Sequence, residues 1–356
     1  MRMKVSITLP TPPSRDYEIT IDTLPKITID GKAAIVTNPK VAGLHLHRLL
    51  AAVDAKELYI VTIPDGENYK TMEMIEFILD RLFDHRLDRK STLIAFGGGV
   101  IGDMTGFAAS IFQRGIDFIQ VPTTLLSQVD ASVGGKTGIN NRFGKNLVGA
   151  FHQPRAVYID TFWLKTLPER EFAAGVAEIV KMAVMFDADF FQWLESHDLH
   201  EEENLKEAIR RSVELKARVV NEDEKEKGIR AVLNYGHTFA HVIENFSGYG
   251  TYLHGEAVAA GMVMANALAI EYGLFSMEEA ERVKSLLEKY GLPTEYAIED
   301  PESFYDQFFL DKKSHDNKIT FIVPKAIGVW KMLVNPEKTR IIKVLEAFKK
   351  ETAVES

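Results

Sequence analysis

The sequence predicts an α/β protein, with a parallel sheet in its first half and a mainly α-helical second half. Three observations carry that expectation. Short apolar runs alternate with amphipathic ones up to residue 167, a glycine turn stands directly behind one of those runs, and helical periodicity takes over from Pro168. The runs at 33–37, 58–63, 93–96, 118–121 and 156–159 read as buried strands. Between two of them, 72–87 reads as a helix, with apolar residues at 74, 75, 78, 79 and 82. Strands separated by helices imply a parallel sheet with helices on its faces. The second half shows helical periods over 169–195, 204–220, 237–246, 256–272, 277–290 and 336–350. Proline can open a helix, so a boundary between domains 1–167 and 168–356 is expected at Leu167-Pro168.

The chain has 356 residues, room for two domains, and its 46% hydrophobic and 26% charged content is ordinary for a globular protein. A net charge of −9 argues against nucleic acid as a partner, because no bulk cationic surface is available to neutralise phosphates. With no cysteine, any metal must be held by His, Asp or Glu. The first ten residues contain no signal-peptide core, and the apolar stretch 257–270 is too short to span a bilayer, so it reads as a buried helix. A cytoplasmic protein without a membrane partner is expected.

The most informative stretch is Gly236-His237-Thr238-Phe239-Ala240-His241, followed by His254-Gly255-Glu256. Two histidines one helical turn apart and a third opening the next apolar run suit Zn²⁺ or a similar ion. The competing reading is a pair of hydrogen-bonded imidazoles on one helix face. Thr238 stands where the metalloprotease motif needs its Glu base, which argues against a zinc hydrolase.

Residues 92–96 run into Gly97-Gly98-Gly99-Val100-Ile101-Gly102-Asp103. A strand entering a glycine turn that opens a helix suits a pyrophosphate at the helix N-terminus; a tight turn without ligand is the alternative. Its late position and the lack of the usual following unit set it apart from an ordinary Rossmann domain. Lys136 and Lys145 sit in glycine-bearing segments that read as flexible loops suited to an anion. The P-loop pattern fails, since Ala131 occupies the position five before Lys136. Glu178 and Lys181, at i and i+3 in an apolar helix, form either an ion pair or a metal carboxylate with an ammonium beside the same substrate. Lys216, Arg230, Lys312 and Lys313 are surface cations or further anion contacts, and 221–227 reads as a solvated loop.

Together these motifs resemble the 3-dehydroquinate synthase family. The resemblance runs through nearly the whole chain in matching order: Asp65-Gly66-Glu67, Lys70, 97–103, Phe112-Gln113-Arg114-Gly115, 122–126, 130–140, 144–151, 178–181, 233–241, His254-Gly255-Glu256 and Asp311-Lys312-Lys313. It implies a Rossmann-like N-terminal nucleotide-binding domain with a parallel sheet, followed by a mainly α-helical metal-binding domain, with NAD in the first, Zn²⁺ (or Co²⁺) in the second and substrate between. The implied metal ligands are Glu178, His237 and His254, which moves His241 from the metal to the substrate phosphate. Asn38, Glu67, Lys70, Gly98, Gly99, Asp103, Thr123, Thr124, Lys145, Thr166 and Leu167 match NAD contacts. The implied substrate is a sugar-acid phosphate, 3-deoxy-D-arabino-heptulosonate 7-phosphate. Its phosphate would be held by Lys136, Asn146, His241 and Arg114, the last from a second subunit of a homodimer, and its carboxylate by Arg230 and Lys216. Lys312 or Lys313 would close the site, and Asp130, Lys181 and Asn234 would line the reacting hydroxyls.

The implied reaction is a transient NAD-dependent oxidation, phosphate elimination, re-reduction and an internal aldol closure, giving a lyase with no net redox change. Two related readings compete. Another sugar-phosphate cyclase, such as 2-deoxy-scyllo-inosose synthase, has a substrate without the carboxylate and no need of Arg230. A metal-dependent polyol dehydrogenase has no use for so many anion-binding cations. A non-enzymatic relative would be signalled by loss of Glu178 or Lys181, and both are present.

Overall fold

The structure, a computed structural model, describes residues 16–248, 251–310 and 319–350. Six strands, β1 (Glu18–Ile21), β2 (Ile27–Thr37), β3 (Val53–Thr62), β4 (Thr92–Gly97), β5 (Asp117–Pro122) and β8 (Ala156–Ile159), form one sheet in the order β1-β8-β5-β4-β2-β3. Every pairing in it is parallel. All five expected runs fall in or at the end of these strands. β4 is buried at each position, as a central strand covered on both faces must be. Helices α1 (Pro39–Ala52), α2 (Met72–Asp84) and α3 (Gly99–Ile111) connect the strands. α1 opens on Asn38, whose side chain accepts from the Val41 N–H, with Pro39 at the first helical position.

α2 stops at Asp84, short of the expected residue 87. Arg86 takes a left-handed conformation (φ 53°), and the Leu87 N–H returns to the Leu82 carbonyl at 3.0 Å. That is a Schellman stop with arginine in the place usually held by glycine. The segments around Lys136 and Lys145 are not flexible loops. They form an antiparallel hairpin, β6 (Lys136–Asn141) with β7 (Gly144–Phe151). Gly138 faces Gly149 across it, and a Cβ on Gly149 would stand 2.0 Å from the Thr137 carbonyl oxygen. Glycine here marks close backbone approach within a strand pair rather than a loop.

The second half contains α4 (Glu169–Phe186), α5 (Ala188–Ser196), α6 (Glu202–Glu222), α7 (His237–Ser247), α8 (His254–Glu271), α9 (Met277–Lys289), α10 (Pro301–Leu310), the antiparallel hairpin β9 (Thr320–Ala326) with β10 (Val329–Val334), and α11 (Lys338–Ala347). The single helix expected over 169–195 is two. Asp187 adopts extended φ/ψ (−155°, 97°) and ends α4, while its carboxylate accepts the Phe190 N–H at 2.9 Å and starts α5. α8 begins two residues before the expected 256, so His254 sits in its first turn. Its apolar stretch is a buried helix surrounded by α4, α7, α9, α11 and β9. Among the described residues, no helix is long and apolar enough to cross a membrane.

Two glycines set the depth at which α8 sits. A Cβ on Gly255 would lie 2.1 Å from the Ala174 carbonyl oxygen in α4, and one on Gly261 would lie 2.2 Å from the Gly236 carbonyl oxygen just before α7. Backbone therefore meets backbone at both crossings. Gly255→Ala should force α8 off α4 and cost about 1–3 kcal/mol, the ordinary penalty of overpacking. Thermal denaturation of wild type and variant checks the stability loss, and an unchanged melting temperature would refute the packing account.

Candidate active site

Glu178, near the middle of α4, is fully buried. Its Oε1 lies 3.9 Å from His237 Nε2 at the start of α7 and 3.8 Å from His254 Nε2 at the start of α8. One ligand atom from each of these residues lies within 4.8 Å of the others. Two ligands about 2.1 Å from a tetrahedral ion stand roughly 3.4 Å apart, so a contraction of about half an ångström would complete a three-ligand set with an open fourth position. Glu178 Oε1 has no hydrogen-bond partner among the described residues. An ionised oxygen so buried is costly unless a cation meets it. His237 is held well below the usual imidazole range, first by burial and then by the charge of Lys181. Its Nδ1 meets the Tyr235 carbonyl at 3.1 Å, which places the proton there and leaves the Nε2 lone pair facing Glu178. These donors fit a zinc-like ion. His241 stands one turn along α7, its ring 6.0 Å from that of His237, outside the three-residue group.

The Glu178–Lys181 ion pair is present and is compatible with the metal-carboxylate reading, because the carboxylate divides its oxygens. The Lys181 ammonium pairs with Oε2, and Oε1 faces the imidazoles. Beside them Asp130 lies on a single π-helical turn, Ser127–Ala131, of the kind that often marks functional sites. Lys216 Nζ is 2.8 Å from Asp130 Oδ1. Burial alone would raise the Asp130 carboxyl, but Lys216 and Lys181 hold it well below the usual carboxylate range. Burial outweighs that same pairing at Lys216 and lowers its ammonium. Arg230, 1% exposed, donates from Nη2 to the Gly134 carbonyl at 3.0 Å and from Nη1 to the Glu224 carbonyl. Its Nε finds no partner among the described residues.

The run 221–227 is more than a solvated loop. Asp223 accepts the N–H groups of Lys227, Gly228 and Arg230, folding the segment back so that Glu226 reaches Lys136 and, at 3.0 Å, Asn234 Nδ2. Glu226 thus joins the site without any signal in its charged surroundings. Glu244 is a second unforeseen member. It is 5% exposed and lies 3.5 Å from His254 Nδ1 and 2.9 Å from Lys145 Nζ. Its position seven residues after His237, on one face of α7, is the signal that marks it.

The expected cofactor residues gather along the carboxyl edge of the sheet. Asn38 follows β2, Glu67 and Lys70 follow β3, Gly98, Gly99 and Asp103 follow β4, Thr123 and Thr124 follow β5, and Thr166 and Leu167 follow β8. The chain reverses direction across the sheet between β2 and β4, the topological point where such sheets open a ligand crevice. Gly98 caps α3, and a Cβ there would come within 3.1 Å of the Thr124 methyl. Thr123 Oγ1 is buried without a partner among the described residues. A backbone cradle at a helix N-terminus with an unmet hydroxyl beside it fits a dinucleotide phosphate. Lys70 Nζ bonds Asp103 Oδ2 at 2.6 Å and also Asn146 Oδ1, which ties Asn146 to the nucleotide side of the site. Asn140 donates to Glu67 at 2.7 Å, and His45 Nε2 meets Thr166 Oγ1 at 2.7 Å. Lys145 alone of this set reaches across to α7. Arg114 is exposed, at φ 73°, and its guanidinium makes no hydrogen bond or ion pair with another described residue. Lys312 and Lys313 lie outside the described residues.

Family models match both halves of this arrangement: 3-dehydroquinate synthase N-terminal over residues 60–174 and 3-dehydroquinate synthase C-terminal over 175–314. A 3-dehydroquinate synthase from a Nitratiruptor species is 67% identical, covering 98% of this chain and 100% of its own. The chain belongs to the 3-dehydroquinate synthase family. Among solved structures, 2-epi-5-epi-valiolone synthase from Streptomyces hygroscopicus subsp. jinggangensis 5008, with NAD⁺ and Zn²⁺ bound, superimposes with a TM-score of 0.86 at 26% identity, covering 96% of this chain and 99% of that one. A 2-deoxy-scyllo-inosose synthase complexed with carbaglucose-6-phosphate, NAD⁺ and Co²⁺ gives 0.81 at 26% identity, covering 90% and 91%. The chain thus shares its fold with these two synthases.

Replacing His254 with Ala removes one of three protein donors and should abolish retention of a divalent metal through gel filtration. Elemental analysis of the eluted protein checks this, and a stoichiometrically loaded variant would sink the ligand set.

Proposed function

We propose that this 3-dehydroquinate synthase family chain converts 3-deoxy-D-arabino-heptulosonate 7-phosphate to 3-dehydroquinate and phosphate, in the shikimate route to aromatic amino acids. The observation that carries the proposal is the meeting of the Glu178–His237–His254 donor set with the buried cations Lys181, Lys216 and Arg230 around Asp130. A substrate bearing a phosphate, a carboxylate and adjacent hydroxyls needs that combination. Residues 1–167 would bind NAD through the contacts named along the sheet edge, and 168–356 would bind Zn²⁺, or Co²⁺ in the same donors. When bound, the dinucleotide supplies a hydride acceptor that is later a donor, and the ion supplies Lewis acidity toward the substrate hydroxyls.

The chain's own residues do the positioning. Lys136, Asn146 and His241 hold the phosphate, with Arg114 completing the set from a second subunit of a homodimer. That assignment suits an exposed guanidinium that pairs with no described residue. Arg230 and Lys216 hold the carboxylate; Arg230 is bonded only to carbonyl oxygens and keeps its charge for an anion. Asp130 is held ionised by Lys216 and Lys181 and accepts from a substrate hydroxyl, with Asn234 beside it. Lys181 pairs with Glu178 Oε2 and leaves Oε1 toward the imidazoles for the metal. Glu226 pairs with Lys136 and Asn234, so a phosphate binding at Lys136 must displace it from the ammonium. Lys312 or Lys313 would close over the substrate. The phosphorylated substrate and soluble cofactor belong to the cytoplasm, where we place the reaction.

A related cyclase acting on a substrate without the carboxylate would leave the buried Arg230 guanidinium without purpose. Arg230→Ala should therefore raise KM for the heptulosonate phosphate roughly 10- to 100-fold, the cost of a charged hydrogen bond. Steady-state kinetics checks this, and unchanged KM removes Arg230 from the site. The reaction itself is tested by incubating enzyme, substrate, NAD⁺ and Zn²⁺ while following phosphate and NADH absorbance together. Many turnovers of phosphate without accumulating NADH are expected. NADH rising with substrate loss would instead mean a dehydrogenase.

A further inference from the structure

His254 has a carboxylate at each ring nitrogen. Nε2 faces Glu178 Oε1 at 3.8 Å, and Nδ1 faces Glu244 Oε1 at 3.5 Å. Imidazole can serve a metal only through an unprotonated nitrogen, and the partner of the other nitrogen decides which one that is. An ionised carboxylate only accepts hydrogen bonds. At Nδ1 it therefore demands an N–H and leaves Nε2 free to bind on the Glu178 side. Lys145 Nζ from the β6–β7 hairpin lies 2.9 Å from the same Glu244 oxygen and holds the carboxylate in place beside the ring. His237 is oriented in the same sense by a backbone carbonyl. Among the described residues, His254, at the first turn of its helix, has only the Glu244 side chain to do so.

We infer that Glu244 is a positioning residue that fixes His254 in its metal-binding tautomer, with Lys145 as the partner that holds the Glu244 side chain in place. The inference rests on the Glu178–His237–His254 metal reading. It is tested by zinc affinity, measured by competition with a chromophoric chelator, for wild type, Glu244→Gln and His237→Ala. The isosteric glutamine can donate to Nδ1 and so favours the wrong tautomer. Its zinc affinity should fall about 10- to 100-fold while the circular dichroism of the metal-free protein stays that of wild type. If His237→Ala also keeps its zinc, the metal reading has failed. If His237→Ala loses zinc while Glu244→Gln stays within twofold of wild type, only the role of Glu244 is overturned. A second measurement needs no variant. The ¹⁵N shifts of histidine-labelled, zinc-loaded wild type should report a protonated Nδ1 at His254, and a protonated Nε2 would overturn the inference even if the glutamine variant does not fold.

Discussion

Glu178 is wholly buried in α4, and an ionised carboxylate there must find compensation on both oxygens. Lys181 answers one oxygen from a turn away on the same helix. The other can be answered only by a cation shared with neighbouring helices, and α7 and α8 bring His237 and His254 within about 4 Å of it. Such closeness leaves no room for side chains between the helix axes. Ala174, Gly255, Gly236 and Gly261 line the two crossings for that reason, and ordinary core residues there would push the donor atoms apart. The packing of the helical half follows from this one charge.

Around that centre, five cations (Lys136, Lys145, Lys181, Lys216 and Arg230) face four carboxylates (Asp130, Glu178, Glu226 and Glu244) among the described residues. The excess is positive before any divalent ion is counted. It is also distributed by depth. Lys181 and Lys216 are locked onto acids in the interior, while Lys136 is half exposed and its partner Glu226 sits on a turn. Interior pairs set geometry, and the outer pair can be exchanged at little desolvation cost.

Much of this was legible in the residues. All five apolar runs became strands, since a run covered on two faces has no polar period to confuse it. The histidine spacing flagged α7 and α8, but spacing alone could not choose between His241 and Glu178 as the partner of His237 and His254. Glu178 lies 59 residues before His237, and only the packing of α8 against both α4 and α7 joins them. The hairpin at Lys136 and Lys145 was obscured because glycine signals both loops and close backbones. Asp187 was obscured because an apolar period runs on both sides of it, and its capping bond depends on a local backbone angle. Glu226 and Glu244 needed three dimensions: one sits in a charged run that reads as solvated, the other is one acid on an amphipathic helix.

α8 has no solvent-facing side; every residue from His254 to Glu271 is buried or half-buried. A helix of that kind cannot be stable at the edge of a partly assembled domain, because it would present an apolar cylinder to water. It becomes tenable only when α4, α7, α9 and α11 have closed around it. His254 begins this helix, so the third donor of the proposed metal set is delivered by the element least able to stand alone. The centre therefore doubles as a quality check on assembly: a chain whose interior has not closed has no intact donor set, and the ion favours the fully closed population over every looser one.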